Sequence, residues 1–246
     1  MDRMLYVAMS GAKETLHAQA AVNNNMANAN TPGFLADLQQ FRSMPVFGAG
    51  HPTRVYAMSE RPESDRSPGT LDHTGRDLDV AVKEGGWLAV QSAGGGEAYT
   101  RRGDLEVDAS GRLVTAEGLP VIGNSGPIAL PPFERIEIGT DGTVSLRPQG
   151  AESNEIVEVD RIKLVKAPNE QLHQGEDGLM RTRNGAVLPA DADARLVSGS
   201  LVASNVDLVG EMVSMIELSR RFELQVKMMK TAEETGAASA TLLRPV

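Results

Sequence analysis

Four histidines, at 17, 51, 73 and 173, are the residues best suited to bind a metal or carry a proton, and they are scattered. No pair has the HExxH spacing, or any other spacing, that sets two imidazoles on one face of an element. Cysteine is absent, which excludes disulfides, thiolate metal sites and a thiolate nucleophile. Ser125 stands in GNSGP, which lacks the G-x-S-x-G arrangement of a nucleophile elbow. The glycine-rich AGGGEA, 93–98, has no following Lys-Ser/Thr and no βαβ context, so it reads as a hairpin tip rather than a phosphate cradle. Asp72, Asp77 and Asp79 could supply paired carboxylates, but Asp77 and Asp79 alternate with Leu78, Val80 and Val82 and so read as the solvated face of a strand. Met212, Met215, Met228 and Met229 fall at helical spacing, which reads as packing rather than a cofactor box. The chain reads as non-enzymatic, with no cofactor and no metal.

The remaining polar cluster is VNNNMANANTPGF, 22–34, with asparagines at 23, 24, 25, 28 and 30. Asparagine competes with the helical backbone for hydrogen bonds and suits helix interiors poorly. The amides either cap and fray a helix end or sit buried, where a carboxamide both donates and accepts and fixes register without charge repulsion.

The elements that place these residues follow from periodicity. Residues 3–29 read as a helix whose seam is Leu5, Met9, Ala12, Leu16, Gln19, Asn23 and Met26, spaced four and three in alternation. Pro32-Gly33 ends it in a type II turn. Between 35 and 75, proline, glycine and serine recur without period, and the stretch reads as an extended connector. From 76 to 199 the period is two. LEVDASGRL and IEIGTDGTVSL share one template, a tight hairpin with glycine in the left-handed position, and IVEVDRIKLVKAP, 156–168, is β-rich. From 200 to 246 the helical period returns, with a stripe of Leu208, Met212, Met215, Ser219, Phe222, Val226 and Met229 widened by Val209, Val213 and Ile216. Ser204 or Asn205 is placed to cap it. The fold class is α+β: a terminal helix at each end, at 1–34 and 200–246, around a central all-β domain. Neither helix can bury its stripe alone, so the two are expected to pack on each other and on neighbouring chains as a coiled-coil layer.

Charge agrees. The net charge is −9, which opposes a general affinity for nucleic acid or anionic lipid. Residues 1–30 are balanced and 201–246 carry six acids against five bases, so nearly all the excess lies between them. No apolar run reaches membrane-spanning length, and the N-terminus lacks the basic segment, apolar run and cleavage site of a secretory signal. These features alone make the cytoplasm the default location.

VNNNMANANTPGF resembles the N-terminal signature of the bacterial flagellar rod and hook axial proteins, with Asn24, Asn25, Ala27, Asn28, Thr31, Gly33 and Phe34 on its positions and Asn23 departing from it. GSLVASNVDLVGEMVSMIELSRRFELQVKMMKTAEE resembles the second signature of that family, where Asn205, Val206, Met212, Ile216 and Arg221 match. The middle, from TGRDLDVAVKEGGWLAVQ onward, is similar to the β domain of the same family. The two ends look most like its proximal-rod members; the distal-rod members are the alternative.

The resemblance implies a structural subunit that leaves the cell through the flagellar type III export apparatus without a cleaved signal. It implies polymerisation in the periplasm with copies of itself and with neighbouring proximal and distal rod proteins. That replaces the cytoplasmic default. It also implies a polymerisation interface over Leu5, Met9, Ala12, Leu16, Asn23–Met26, Asn28, Thr31, Gly33 and Phe34 at one end. At the other end the interface runs over Asn205, Leu208, Met212, Met215, Ile216, Phe222, Val226 and Met229. Two rivals stand beside it. A periplasmic cell-wall hydrolase would need a carboxylate pair or metal triad, which the sequence does not offer. A β-domain binding module with a closed helical oligomer would have one discrete mass.

Overall fold

The computed structural model describes residues 4–45, 47, 55–60, 64–83, 85–150, 156–168, 171–175 and 177–242. His51, the start of the first helix at Arg3 and parts of the expected connector lie outside them. The chain divides into two bodies: 1–29, 37–64 and 206–246 form one, and 30–36 with 65–205 form the other.

The first body holds helix α1 (Met4–Ala27), strands β1 (Gln40–Pro45) and β2 (Val55–Glu60), and helix α2 (Leu208–Leu242). The α1 amides end in a tightened turn, with Asn28 N donating to the carbonyls of Asn24 and Asn25. Helix α2 is capped by Asp207, whose Oδ1 accepts from Val209 N at 3.1 Å, an arrangement that contributes about 1 kcal/mol. The expected cap at Ser204 or Asn205 is therefore corrected: Asp207 stands next to the helix, and the Asn205 carboxamide is engaged elsewhere. Glu217 and Arg221 form an i,i+4 pair at 3.7 Å on the exposed side. Where the sequence suggests an extended connector, β1 and β2 pair antiparallel, Gln40 opposite Glu60 and Pro45 opposite Val55. Every residue of β1 is exposed, so no buried face marks the strand in the sequence.

The second body is all antiparallel strand. Ribbons join β3 (Leu71–His73) to β16 (Ser200–Val202), β4 (Val80–Val82) to β15 (Leu196–Ser198) and β7 (Leu105–Val107) to β8 (Leu113–Thr115). A five-stranded sheet runs in the order β12 (Leu164–Val165), β5 (Trp87–Gln91), β6 (Glu97–Thr100), β14 (Met180–Thr182) and β13 (Leu172–Gln174). A three-stranded sheet has β11 (Val157–Arg161), β10 (Thr143–Pro148) and β9 (Phe133–Ile138). Both expected hairpins form. In β7–β8, Asp108 N donates to Arg112 O and Gly111 N to Asp108 O, with Gly111 at φ 79°. In β9–β10, Gly139 N and Gly142 N make the same two bonds around Gly142 at φ 90°. The same closure recurs at Ser92–Gly96, where AGGGEA is the hairpin tip, and at Thr115–Leu119.

Leu88, Leu105, Leu113, Val144, Leu146 and Ile162 share the larger core. Trp87, Tyr99, Val165, Leu172 and Met180 share a second. Tyr99 keeps its phenol protonated, since burial pushes it up to about 12, and its oxygen accepts from Leu188 N at 2.8 Å. The solvated-face reading of Asp79 is corrected. Asp79 is buried, Thr74 Oγ1 donates to it at 2.6 Å and Arg76 Nε at 2.8 Å, and Arg76 Nη2 reaches on to Leu105 O. A carboxylate can enter the interior here because Arg76, three residues earlier and itself half exposed, lays its guanidinium over it.

Candidate assembly interface

Helices α1 and α2 run antiparallel, because their contacts descend one helix while ascending the other. Asn25 Nδ2 donates to Glu211 Oε1 at 2.8 Å, Ala18 and Val22 pack on Leu218, Gln19 Nε2 reaches Ser219 Oγ at 3.5 Å, and a Cβ on Gly11 would lie 2.8 Å from Gln225 Nε2. The face of α1 that is buried is Ala8, Gly11, Thr15, Ala18, Val22 and Asn25. This is a heptad seam of small residues, and it lies one position before the seam expected from the sequence. One residue is about 100° of rotation, so the large side chains of the expected seam turn outward. Leu5 is 39% exposed, Met9 53% and Leu16 51%, while Ala12, on the boundary, is buried and Met26 is partly so. Small side chains win the contact because they let two helix backbones approach closely, and dispersion falls steeply with any gap.

Helix α2 meets this seam with larger residues. Leu218 and Ala232 are buried and Met215, Phe222 and Met229 are half-buried, so these three of the expected stripe face the seam. Leu208, Met212 and Val226 are exposed. Val209 at 71%, Val213 at 53% and Ile216 at 55% form an apolar strip on the far side of the helix. The small seam of α1 thus receives the larger side chains of α2, and both helices present large apolar residues on their outer faces.

The asparagines divide by exposure. Asn25 is buried and fully employed: besides Glu211, Nδ2 donates to Asp37 O at 3.1 Å and Oδ1 accepts from Asp37 N at 2.8 Å. It holds the chain that follows the signature turn against both helices of its own body. Asn24 Nδ2 reaches Asp37 Oδ2 at 3.1 Å, and Asn28 Nδ2 donates back to Asn24 O at 2.9 Å. Asn23 is exposed.

In the strand-rich body the rest of the signature closes a second knot. Phe34 N donates to Thr31 O across Pro32-Gly33, with Gly33 at φ 69°, as a type II turn requires. Gly33 N donates to Val202 O at 2.7 Å. Asn205 Oδ1 accepts from Ala36 N at 2.7 Å, and its Nδ2 donates to Asp65 O at 2.8 Å and Ser67 O at 3.1 Å. Arg101 completes it: Nη1 donates to Arg66 O at 2.9 Å, and the guanidinium lies 4.5 Å from the Trp87 ring centre. Burial, with Arg66 beside it, pulls the Arg101 pKa below its ordinary value. Three successive carbonyls, 65 to 67, are therefore held by two side chains instead of a strand ladder.

Among the described residues no group of three or more His, Cys, Asp or Glu side chains could hold a metal ion, and no helix is long and apolar enough to cross a membrane. His73 Nδ1 lies 3.2 Å from Ser200 Oγ in the β3–β16 ribbon.

Three family models match successive parts of the chain: flagella basal body rod protein over 5–34, the flagellar hook protein FlgE/F/G D1 domain over 81–146, and the flagellar basal body rod FlgEFG protein C-terminal over 197–242. The flagellar basal-body rod protein FlgF of Escherichia coli (strain K12) is 44% identical over 99% of both chains, and that of Salmonella typhimurium 43% over the same share. FlgG of Bacillus subtilis is 32% identical over 95% of this chain and 96% of its own. The chain belongs to the FlgF family of flagellar basal-body rod proteins.

In this FlgF-type chain the signature residues are a folding knot as well as a stretch of surface. Gly33, Asn25 and Asn205 each hold main chain inside one body. Asp37, Glu211 and Arg101 share that work, and no sequence motif singles them out. Their one advance signal is position: Asp37 follows the signature turn and Glu211 stands in the first turn of α2. The small seam, Ala8 to Val22, carries a signal of its own, a 3-4-3-4 recurrence of Ala, Gly, Thr and Val.

Proposed function

We propose that the chain is a structural subunit of the flagellar proximal rod that polymerises through its terminal helices and helps form the torque-transmitting drive shaft. Subunits pass through the flagellar type III export apparatus without a cleaved signal, then stack in the periplasm with copies of themselves and with neighbouring proximal and distal rod proteins. The paired helices join a coiled-coil inner layer. Family membership supports the rod assignment and a structural rather than enzymatic role. The observation that carries the mechanism is the outward strip of Leu5, Met9 and Leu16 on α1 and of Val209, Met212, Val213 and Ile216 on α2, left uncovered after α1 and α2 have closed on each other. An apolar strip of this length on a charged, soluble chain marks a surface that is covered in use. The near-neutral charge of both helices lets copies approach without repulsion.

Leu16→Asp tests this. The side chain is outside the intrachain seam, so the isolated variant should keep its circular dichroism and melting temperature, while a charge in a dry interchain seam costs several kcal/mol. Cells relying on the variant should lack complete rods and fail to swim. Swimming at the ordinary rate would show that position 16 faces solvent in the rod.

A further inference from the structure

Methionine is partitioned between the two bodies. Met4, Met9, Met26, Met44, Met58, Met212, Met215, Met228 and Met229 lie in the helical body, and Met180 alone lies in the strand-rich one. Met180 is 1% exposed, whereas Met9, Met44 and Met212 are 53%, 56% and 47% exposed. With no cysteine in the chain, its methionines are its only oxidisable sulfur. Two of them, Met9 and Met212, sit within the apolar strips that include Leu16 and Ile216.

We propose that Met9 and Met212 are oxidant-sensitive modification sites that switch assembly off in the free subunit and become shielded once it is built in. The inference rests on the strip being the assembly surface. The oxidant is a hydroperoxide. The thioether sulfur attacks the distal peroxide oxygen, an S–O bond forms as the O–O bond breaks, and with hydrogen peroxide the leaving hydroxide takes a proton and departs as water. Sulfur is oxidised by two electrons and peroxide is reduced by two. The product sulfoxide is a strong hydrogen-bond acceptor on a polar, stiffer side chain, which a dry seam of Leu, Val and Ile cannot satisfy. On α1 the intrachain seam of Ala8, Gly11, Thr15, Ala18 and Val22 contains no sulfur, and Met26 and Met215, which pack beside it, and Met229 are half-buried, so oxidation at Met9 and Met212 leaves the helix pair in place and removes only its outward adhesion. Two thiols reverse the step, giving thioether, disulfide and water, so the lesion is repairable.

The test follows sulfoxide at each methionine by peptide mass spectrometry during exposure to hydrogen peroxide. In the purified chain, Met9 and Met212 should be oxidised well before Met180, with the helical circular dichroism retained. In isolated basal bodies the same pulse should leave Met9 and Met212 reduced. A Met9→Gln/Met212→Gln chain, with an amide standing for the sulfoxide, should lose rods and swimming, whereas Met9→Leu/Met212→Leu subunits should assemble to the same extent with and without the oxidant pulse. A pair of methionine sulfoxide reductases with dithiothreitol should restore the thioethers of the treated chain. Equal oxidation rates at Met9, Met212 and Met180 would overturn the inference. So would a glutamine variant that swims normally while Leu16→Asp does not, a result that leaves the assembly surface standing. If neither the glutamine variant nor Leu16→Asp loses swimming, the strip is not the assembly surface and both readings fall.

Discussion

Gly33→Ala is expected to lower the melting temperature of the strand-rich body by roughly 5–20 °C. Two costs combine. Gly33 has φ 69°, where an L side chain is strained, and the added Cβ would lie 2.6 Å from Arg101 C and Arg102 N, backbone atoms that cannot rotate away. Left-handed strain and overpacking each cost about 1–3 kcal/mol, and in a body of about 150 residues each kcal/mol moves the transition by roughly 2–4 °C. The turn cannot drift outward to relieve the clash, because Gly33 N donates to Val202 O on one side and Asn205 holds Ala36 N on the other. Gly185→Asn is the matched control. Gly185 has the same φ of 69° with nothing near its missing Cβ, and asparagine tolerates that conformation. A Gly33→Ala chain that melts with the wild type would show that the signature turn is not seated as described.

Asn25→Leu should damage the isolated subunit before it damages the rod. The substitution strips partners from Asp37 N, Asp37 O and Glu211 Oε1 in a site where Asn25 is 2% exposed. At roughly 1–3 kcal/mol per buried group left without a partner, the cost is several kcal/mol, which leucine's better helix propensity of a few tenths does not offset. Thermal unfolding of the helical transition in the purified variant should shift down, and residues 37–45 should exchange their amide hydrogens faster. Rods should be missing as a consequence. If instead the purified variant is as stable as the wild type and only rods are lost, the carboxamide acts across subunits, fixing their register, and not as a clamp within one chain.

The sequence and the folded chain agree most closely where glycine dictates the turn. Gly111 and Gly142 appear in a shared template because a three-residue hairpin loop needs a left-handed residue at one position, and both hairpins form there. The type II turn at Pro32-Gly33 is legible for the same reason. The helix seam is displaced because large apolar residues dominate a periodicity count, whereas helix pairing rewards small ones. Ala8, Gly11 and Ala18 carry little hydrophobic weight in a sequence yet set how near the helices come. Buried charge is the least legible. Asp79 reads as part of a solvated strand face, since nothing local shows that Thr74 and Arg76 fold over it, and no motif marks Arg101 as the residue that lies over Trp87. The β1–β2 pair is hidden for the opposite reason: with all of β1 exposed there is no buried face to impose an alternating pattern.

The helix pair closes on the small seam of α1 within one chain, and in the rod its large outer strips are expected to meet the neighbouring subunits. An electron cryomicroscopy map of intact basal bodies, at a resolution that shows side chains, tests this arrangement most directly. Ala8, Gly11, Thr15, Ala18 and Val22 should lie against α2 of the same chain, and Leu5, Met9, Leu16, Met212 and Ile216 should be covered by adjoining subunits. A map in which that outer strip faces solvent, or in which α1 leaves its own α2 to pair its small seam with a neighbour, would contradict it.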